Sequence, residues 1–280
     1  MHILSKFIFS LLALTSVTKA NATFSIIAID KMEGKFGAAF ASCISLQESE
    51  KSDEKIKSFI EDQLHVYVPG KGIMNLQGAV INVNLLNSKA KDLIYNAKNA
   101  KEIINDLINY EETVLTANDN YSKFRQFLAL TFDSTKNIVY KNAYTGMDVN
   151  SHSGDLTGAN ERFAYVIAGN YLTQKDNSTQ NDVIKALSDG FENESKNQPV
   201  NLSDKLIAAL QNVKSLKNIG DIRCVSSYGT TSNFAFMRTY KGDETLENYV
   251  TYSNPSEQKD GIDSLISLYN KKAIPKRSIN

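Results

Sequence analysis

The sequence predicts an α+β fold in which antiparallel sheets carry helices on their outer faces. Three observations predict it. Short apolar runs come in pairs joined by tight polar turns, the signature of hairpins. Two stretches of paired helical periodicity separate those hairpins. The chain has neither an internal repeat nor a low-complexity linker that would divide it. With 280 residues, 42% of them hydrophobic and 22% charged, a single domain can bury a sizeable core without metal or a dense set of disulfides.

In chain order, residues 23–28 and 36–42 are strands around the turn Asp30-Lys31-Met32-Glu33-Gly34-Lys35, and Gly37, Ala38, Ala39 and Ala41 let another layer approach the second strand closely. Between Glu48 and Gln63 the charges are dense and Ile56, Phe59 and Ile60 recur at helical spacing, which predicts a surface helix or a mobile insertion. Residues 66–68 precede Pro69-Gly70-Lys71-Gly72, which reads as a turn, because neither a Lys-Ser/Thr pair nor dinucleotide spacing follows its Gly-x-Gly. Residues 73–83 are apolar with Asn75, Gln77 and Asn82 interspersed. Leu86, Leu93, Ile94 and Ala97, then Ile103, Ile104, Leu107 and Ile108, mark helices over 86–97 and 100–109, each with one buried face.

Residues 124–132 and 138–144 are strands about the turn Asp133-Ser134-Thr135-Lys136-Asn137. The stretch 145–161 is rich in Gly, Asp, Asn and Ser and reads as loop, and residues 163–170 form a strand ending at Gly169-Asn170. Helices follow over 180–192 and 203–216, the second capped by Ser203 or Asp204. Gly220-Asp221-Ile222-Arg223 leads into strands near 232–240 and 247–252, and a last amphipathic helix carries Ile262, Leu265, Ile266 and Leu268. Residues 273–280 read as a frayed tail.

The N-terminus has a separate logic. His2 and Lys6 precede the apolar run Phe7-Ile8-Phe9-Ser10-Leu11-Leu12-Ala13-Leu14, and Ala20-Asn21-Ala22 has the small-x-small form of a signal-peptidase site. The run is too short to span a bilayer as a mature helix. We therefore expect a signal peptide over 1–22, a single domain over 23–272, and an exported protein, periplasmic or secreted, with no membrane attachment after processing. Cleavage after Ala22 makes Thr23 the first residue; cleavage after Ala20 leaves Asn21 there instead. A terminal threonine carries its own base, since an α-amine with a pKa of roughly 7.7 to 8.0 is partly unprotonated near neutral pH.

Composition excludes several partners. The 31 basic and 31 acidic residues balance, and loss of Lys6 and Lys19 leaves 29 against 31, which suits neither nucleic acid nor an anionic membrane surface. Histidines at 2, 65 and 152 and cysteines at 43 and 224 have no zinc-ligand spacing, so no metal or cofactor is expected. In an oxidising compartment Cys43 and Cys224 are either bridged or two buried thiols. Asparagine occurs 28 times, so a single Asn carries little weight as a site residue.

Several short stretches, in order and spacing, carry a resemblance. They are Thr23-Phe24-Ser25-Ile26 with Asp30, Gly37-Ala38-Ala39-Phe40-Ala41-Ser42, Gly70-x-Gly72 with Gln77, Arg125-Gln126, Tyr144-Thr145-Gly146, Ala168-Gly169-Asn170, Gly220-Asp221-x-Arg223 and Asn254-Pro255. From about Thr23 to Leu268 the chain resembles the uncharacterised bacterial family DUF1028, grouped with the N-terminal-nucleophile (Ntn) hydrolases. The resemblance implies a four-layer αββα sandwich with antiparallel sheets, and an N-terminal residue at a sheet end between the two sheets. It implies hydrolysis of a small amide or peptide substrate, with Thr23 attacking the carbonyl, its α-amine relaying the proton and an oxyanion hole steadying the intermediate.

On that basis Gln77 and Asn170 are candidates for oxyanion or substrate-amide contacts, and Arg125, Asp221 and Arg223 for a supporting charge network near the N-terminus. Ser25 shares a strand face with Thr23 and has a supporting role. Two departures fall on cysteine: Cys43 stands where the family often has a lysine, and Cys224 where a glycine usually follows Asp-x-Arg. The pairing of departures implies a Cys43 to Cys224 disulfide. The missing lysine also supports a second expectation, a catalytically silent exported protein that binds a ligand or partner; a homo-oligomer fits either.

Overall fold

Alternation along the strands decides where each side chain goes. In β1 (Thr23–Asp30), Phe24, Ile26 and Ala28 enter one apolar core while Ile27 and Ile29 enter another, because successive residues of a strand face opposite ways. The structure, a computed structural model, describes residues 23–44, 51–79, 82–115, 121–149, 152–174, 181–193, 201–253 and 259–277, with side chains to residue 272. The expected signal segment 1–22 and Asn254-Pro255 lie outside the described residues.

Among the described residues ten strands form two sheets, and all their pairings are antiparallel. The larger contains β1, β2 (Lys35–Ser42), β7 (Gly154–Ala159), β8 (Phe163–Asn170), β9 (Phe234–Lys241) and β10 (Glu244–Tyr252) in the order β10-β9-β2-β1-β8-β7. The smaller contains β3 (His65–Val68), β4 (Gly72–Gly78), β5 (Arg125–Asp133) and β6 (Ile138–Thr145) in sequence order. Seven α-helices accompany them among the described residues: α1 (Asp53–Phe59), α2 (Val83–Tyr95), α3 (Ala100–Tyr110), α4 (Asp182–Glu192), α5 (Leu202–Ser215), α6 (Ile222–Tyr228) and α7 (Gly261–Arg277).

Three apolar cores follow from these faces. One joins β1, β8 and β9 to α4, α5 and α7 through residues such as Ile26, Leu187, Leu206 and Leu265. A second joins the two sheets through Ile27, Phe40, Val166, Phe236, Ile73 and Leu128, with Ile56 and Ile60 closing its side. A third joins the smaller sheet to α2 and α3 through Met74, Phe127, Leu93 and Ile104. The small residues of β2 act as expected: a Cβ on Gly37 would come within 2.7 Å of Leu206 Cδ1, so α5 packs directly on the strand.

The structure corrects four local expectations. The stretch read as loop over 145–161 contains β7, whose Gly158 leaves room for the Tyr165 ring: a Cβ there would lie 2.2 Å from Tyr165 Cζ. The segment after Gly220 forms α6 before any strand. Asp221 caps it by accepting from the Arg223 N–H at 2.9 Å, and Gly229 ends it at φ 67°. The cap of α5 is Asn201, accepting from the Asp204 N–H at 2.9 Å, rather than Ser203 or Asp204. The last helix runs to Arg277, past the expected start of the tail at 273. Asp53 to Phe59 forms a helix with Ser52 as its cap, so that part of the charged segment is ordered.

Candidate functional site

One end of the layer between the sheets is polar, and strand parity dictates which residues meet there. On the larger sheet Ile27 and Ile29 face inward, so Ser25 and Thr23 do too; Val166 and Ala168 bring Asn170 to that face, and Ala38 and Phe40 bring Ser42. On the smaller sheet Ile73 sets Asn75 and Gln77 inward, and Leu130 and Leu128 set Gln126. Register then aligns them. Thr23 lies opposite Ser42 on one side and Asn170 on the other, and Gln77 lies opposite Gln126.

Thr23 therefore opens β1 with its hydroxyl in this layer, 3.3 Å from Ser42 Oγ, and only 2% of the residue is exposed. Ser25, wholly buried, accepts from Asn75 Nδ2 at 3.1 Å and from Gln77 Nε2 at 2.8 Å. Asn170 Nδ2 donates to Gln126 Oε1 at 2.8 Å. Gln126 Nε2 donates to the Gly169 carbonyl at 2.9 Å, to Thr145 Oγ1 at 2.9 Å and to the Gly154 carbonyl at 3.3 Å. Thr145 in turn donates to Asp155 Oδ2 at 2.6 Å.

These bonds leave two buried oxygens, Gln77 Oε1 and Asn170 Oδ1, with no hydrogen-bond partner. As bonded, both carboxamides direct their N–H groups at protein acceptors. Such oxygens can receive an N–H; they cannot stabilise an oxyanion, which needs donors.

Behind Ser25 stands His65. Its Nδ1 lies 2.7 Å from Asn75 Oδ1 and its ring stacks on Tyr240 at 5.6 Å between centroids. Burial is the main reason its pKa drops to about 4, with the Asn75 bond acting in the opposite direction. The imidazole is consequently neutral at pH 7, and an Nδ1–H donated to Asn75 turns the Asn75 amide N–H toward Ser25.

The charged candidates form two separate pairs. Asp221, its side chain wholly buried, holds Arg223 Nη2 at 3.0 Å and accepts from the Cys43 N–H at 2.6 Å. Burial pushes its carboxyl above the usual range, opposed by Arg223 and by the Cys43 N–H. Arg125 instead pairs with Glu111, at 2.5 Å from Nη2 and 2.6 Å from Nε, and bonds the Ala79 carbonyl. The single network expected of Arg125, Asp221 and Arg223 is thus two ion pairs, with Asp221 and Arg223 the pair at the end of β2. There a disulfide joins Cys43 to Cys224 of α6, with Cα atoms 5.5 Å apart, and ties the helix to the residue after Ser42.

Asn75 and Gln126 were not singled out by sequence reasoning as site residues. The available signal was alternation: in Ile73-Met74-Asn75-Leu76-Gln77 the positions in phase with Ile73 turn polar, which places amides on a face that is otherwise core. Among the described residues no group of three His, Cys, Asp or Glu is placed to hold a metal ion, and no helix is long and apolar enough to cross a membrane.

A family model described as "Family of unknown function (DUF1028)" matches residues 66–229. Among solved structures, protein SPO2555 from Silicibacter pomeroyi, described with that same family model, superposes with a TM-score of 0.60 at 19% identity. The alignment covers 90% of this chain and 89% of that one; at this identity the likeness speaks for the fold. No curated protein matches the sequence.

Proposed function

The chain belongs to the DUF1028 family, and from that premise we propose that it is an exported N-terminal-nucleophile amidohydrolase, with Thr23 freed by removal of residues 1–22. One observation carries the reading: the threonine that begins β1 faces a cluster of hydroxyls and carboxamides within a layer otherwise filled by Ile, Phe and Leu. Buried polar groups cost stability unless they are paired or used. Two of these amide oxygens are unpaired, which favours use.

The chemistry runs through Thr23 alone. Its neutral α-amine takes the Oγ1 proton as Oγ1 bonds to the substrate carbonyl carbon. The tetrahedral intermediate collapses with cleavage of the C–N bond, and the proton passes to the leaving amine. Water then hydrolyses the Thr23 ester. Of the two roles open to Gln77 and Asn170, their free acceptor oxygens favour contact with substrate N–H groups over oxyanion stabilisation. Ser42 and Ser25 position Thr23 and the amides around it.

The arrangement of helices, two facing sheets and helices supports reading the fold as a four-layer αββα sandwich of the Ntn kind. The Cys43 to Cys224 bridge supports export to the periplasm or beyond. A panel of small amides assayed with processed protein tests the reading. Thr23→Ala lowers turnover by at least about a thousandfold, the scale of losing a nucleophile, while Thr23→Ser retains part of it. Turnover that survives Thr23→Ala contradicts the mechanism. Ligand binding without turnover by the unaltered Thr23 protein marks instead a silent binding protein.

A further inference from the structure

We propose that the polar end of the intersheet layer is a receptor for a primary ammonium group of the ligand, held by Gln77 Oε1 and Asn170 Oδ1. The substrate class of the proposed enzyme is then an amide of an amino-bearing acid, such as an amino-acid amide or a peptide with a free N-terminus. This rests on removal of the residues before Thr23.

One chain of hydrogen bonds in this patch has a fixed polarity. A main-chain carbonyl can only accept, so the Gln126 atom facing the carbonyls of Gly169 and Gly154 must be its NH2 group. The other end of that amide, Oε1, faces Asn170 and can only accept, so Asn170 must turn its own NH2 to it. Asn170 Oδ1 is thereby fixed as the atom left without a partner, not chosen between two equivalent fits. The Asp155 carboxylate enforces the same sense, since it makes Thr145 a donor and leaves the Thr145 oxygen to accept from Gln126. Every dipole from Asp155 to Asn170 points its negative end toward Asn170 Oδ1, and aligned bonds of this kind reinforce one another.

Gln77 adds the second oxygen. Its NH2 donates to Ser25, and its Oε1 is buried and unpartnered like that of Asn170. The two amides belong to one patch: Gln77 is the register partner of Gln126, Asn170 that of Thr23, and Ser25 lies two residues along β1. The residues are 5% and 1% exposed. An ammonium bonded to both gains two charge-assisted hydrogen bonds, and a carboxylate or phosphate in the same place meets two repelling oxygens.

Binding to processed Thr23→Ala protein, measured by calorimetry, tests this apart from turnover. The probes are L-alaninamide, propionamide, which lacks the amino group, and succinamate, which is anionic. Alaninamide binds at least tenfold more tightly than propionamide, and succinamate binds most weakly. Asn170→Leu brings alaninamide and propionamide within about twofold; Gln77→Leu, which removes the other oxygen and leaves the Asn170 to Gln126 bond in place, narrows the preference likewise and serves if the Asn170→Leu variant does not fold.

Equal affinities, a preference for succinamate, or no alaninamide binding overturns the inference. So does an Asn170→Leu variant that shifts the titration of the protein's own α-amine and leaves the ligand ranking untouched, because the acceptors then serve Thr23 itself. An ammonium preference in a protein without turnover keeps this inference and removes the enzyme reading. Turnover of propionamide equal to that of alaninamide does the reverse.

Discussion

His65 is a neutral base built into the support of the site, and this has a signed consequence for stability. In the folded protein its pKa falls from 6.5 to about 4, whereas the unfolded chain protonates it below about 6.5. Between those values the unfolded state binds the extra proton, so the contribution is fully present above pH 6.5 and is lost as the pH falls toward 4. The loss amounts to about 3 kcal/mol. Denaturant unfolding across this range, compared with His65→Phe, checks it: the difference between the two proteins should shrink or reverse on acidification, and parallel curves contradict the assignment. At this scale the sequence was partly legible. Thr23, Gln77 and Asn170 fall in one patch, but Asn75 was hidden by the abundance of asparagine. Gln126 gives no local sign that its amide would orient another strand's side chain. Only the family resemblance groups Arg125 with Asp221 and Arg223; the partner of Arg125, Glu111, follows α3 in a segment whose helical continuation carries no strong apolar pattern.

Elements with a full apolar period were readable, and those defined by a single contact were not. α2 and α3 were legible because Leu86, Leu93, Ile94, Ile103, Ile104 and Leu107 form continuous buried faces. β7 was not, because two of its three helix-facing positions, Gly154 and Gly158, have no side chain, and only Leu156 packs against the core. The reason Gly158 is glycine lies in another strand: the Tyr165 ring occupies the space and is fixed by Ser188 at 2.9 Å and by Phe191 at 4.8 Å between centroids. Gly158→Ala therefore destabilises the protein by about 1–3 kcal/mol, the usual cost of overpacking. An unchanged denaturation midpoint would show that the ring moves aside freely. α6 was hidden similarly, since Cys224 is its one buried residue and the disulfide, not an apolar stripe, holds it.

For the whole molecule, the alternation of hairpins and helical pairs foretold antiparallel sheets with helices outside them, because each segment buries one face only and must find a layer to cover it. How the sheets stack was not legible from periodicity. It depends on which parity of each strand faces the other sheet, and that is fixed by register across strands distant in sequence, such as Thr23 with Asn170. The same register gathers the polar ends of β1, β2, β4, β5 and β8 at one place. Function on this account depends on a cut in the chain, since the peptide bond to residue 22 converts Thr23 from a terminal nucleophile into an ordinary strand residue.

The most direct measurement is peptide mapping by mass spectrometry of the exported protein after reaction with an electrophilic amide probe. The expected product is a chain beginning at Thr23 and carrying a single acyl adduct on the Thr23 hydroxyl. A chain that begins at Asn21 or earlier, or a mature Thr23 that stays unlabelled, contradicts it.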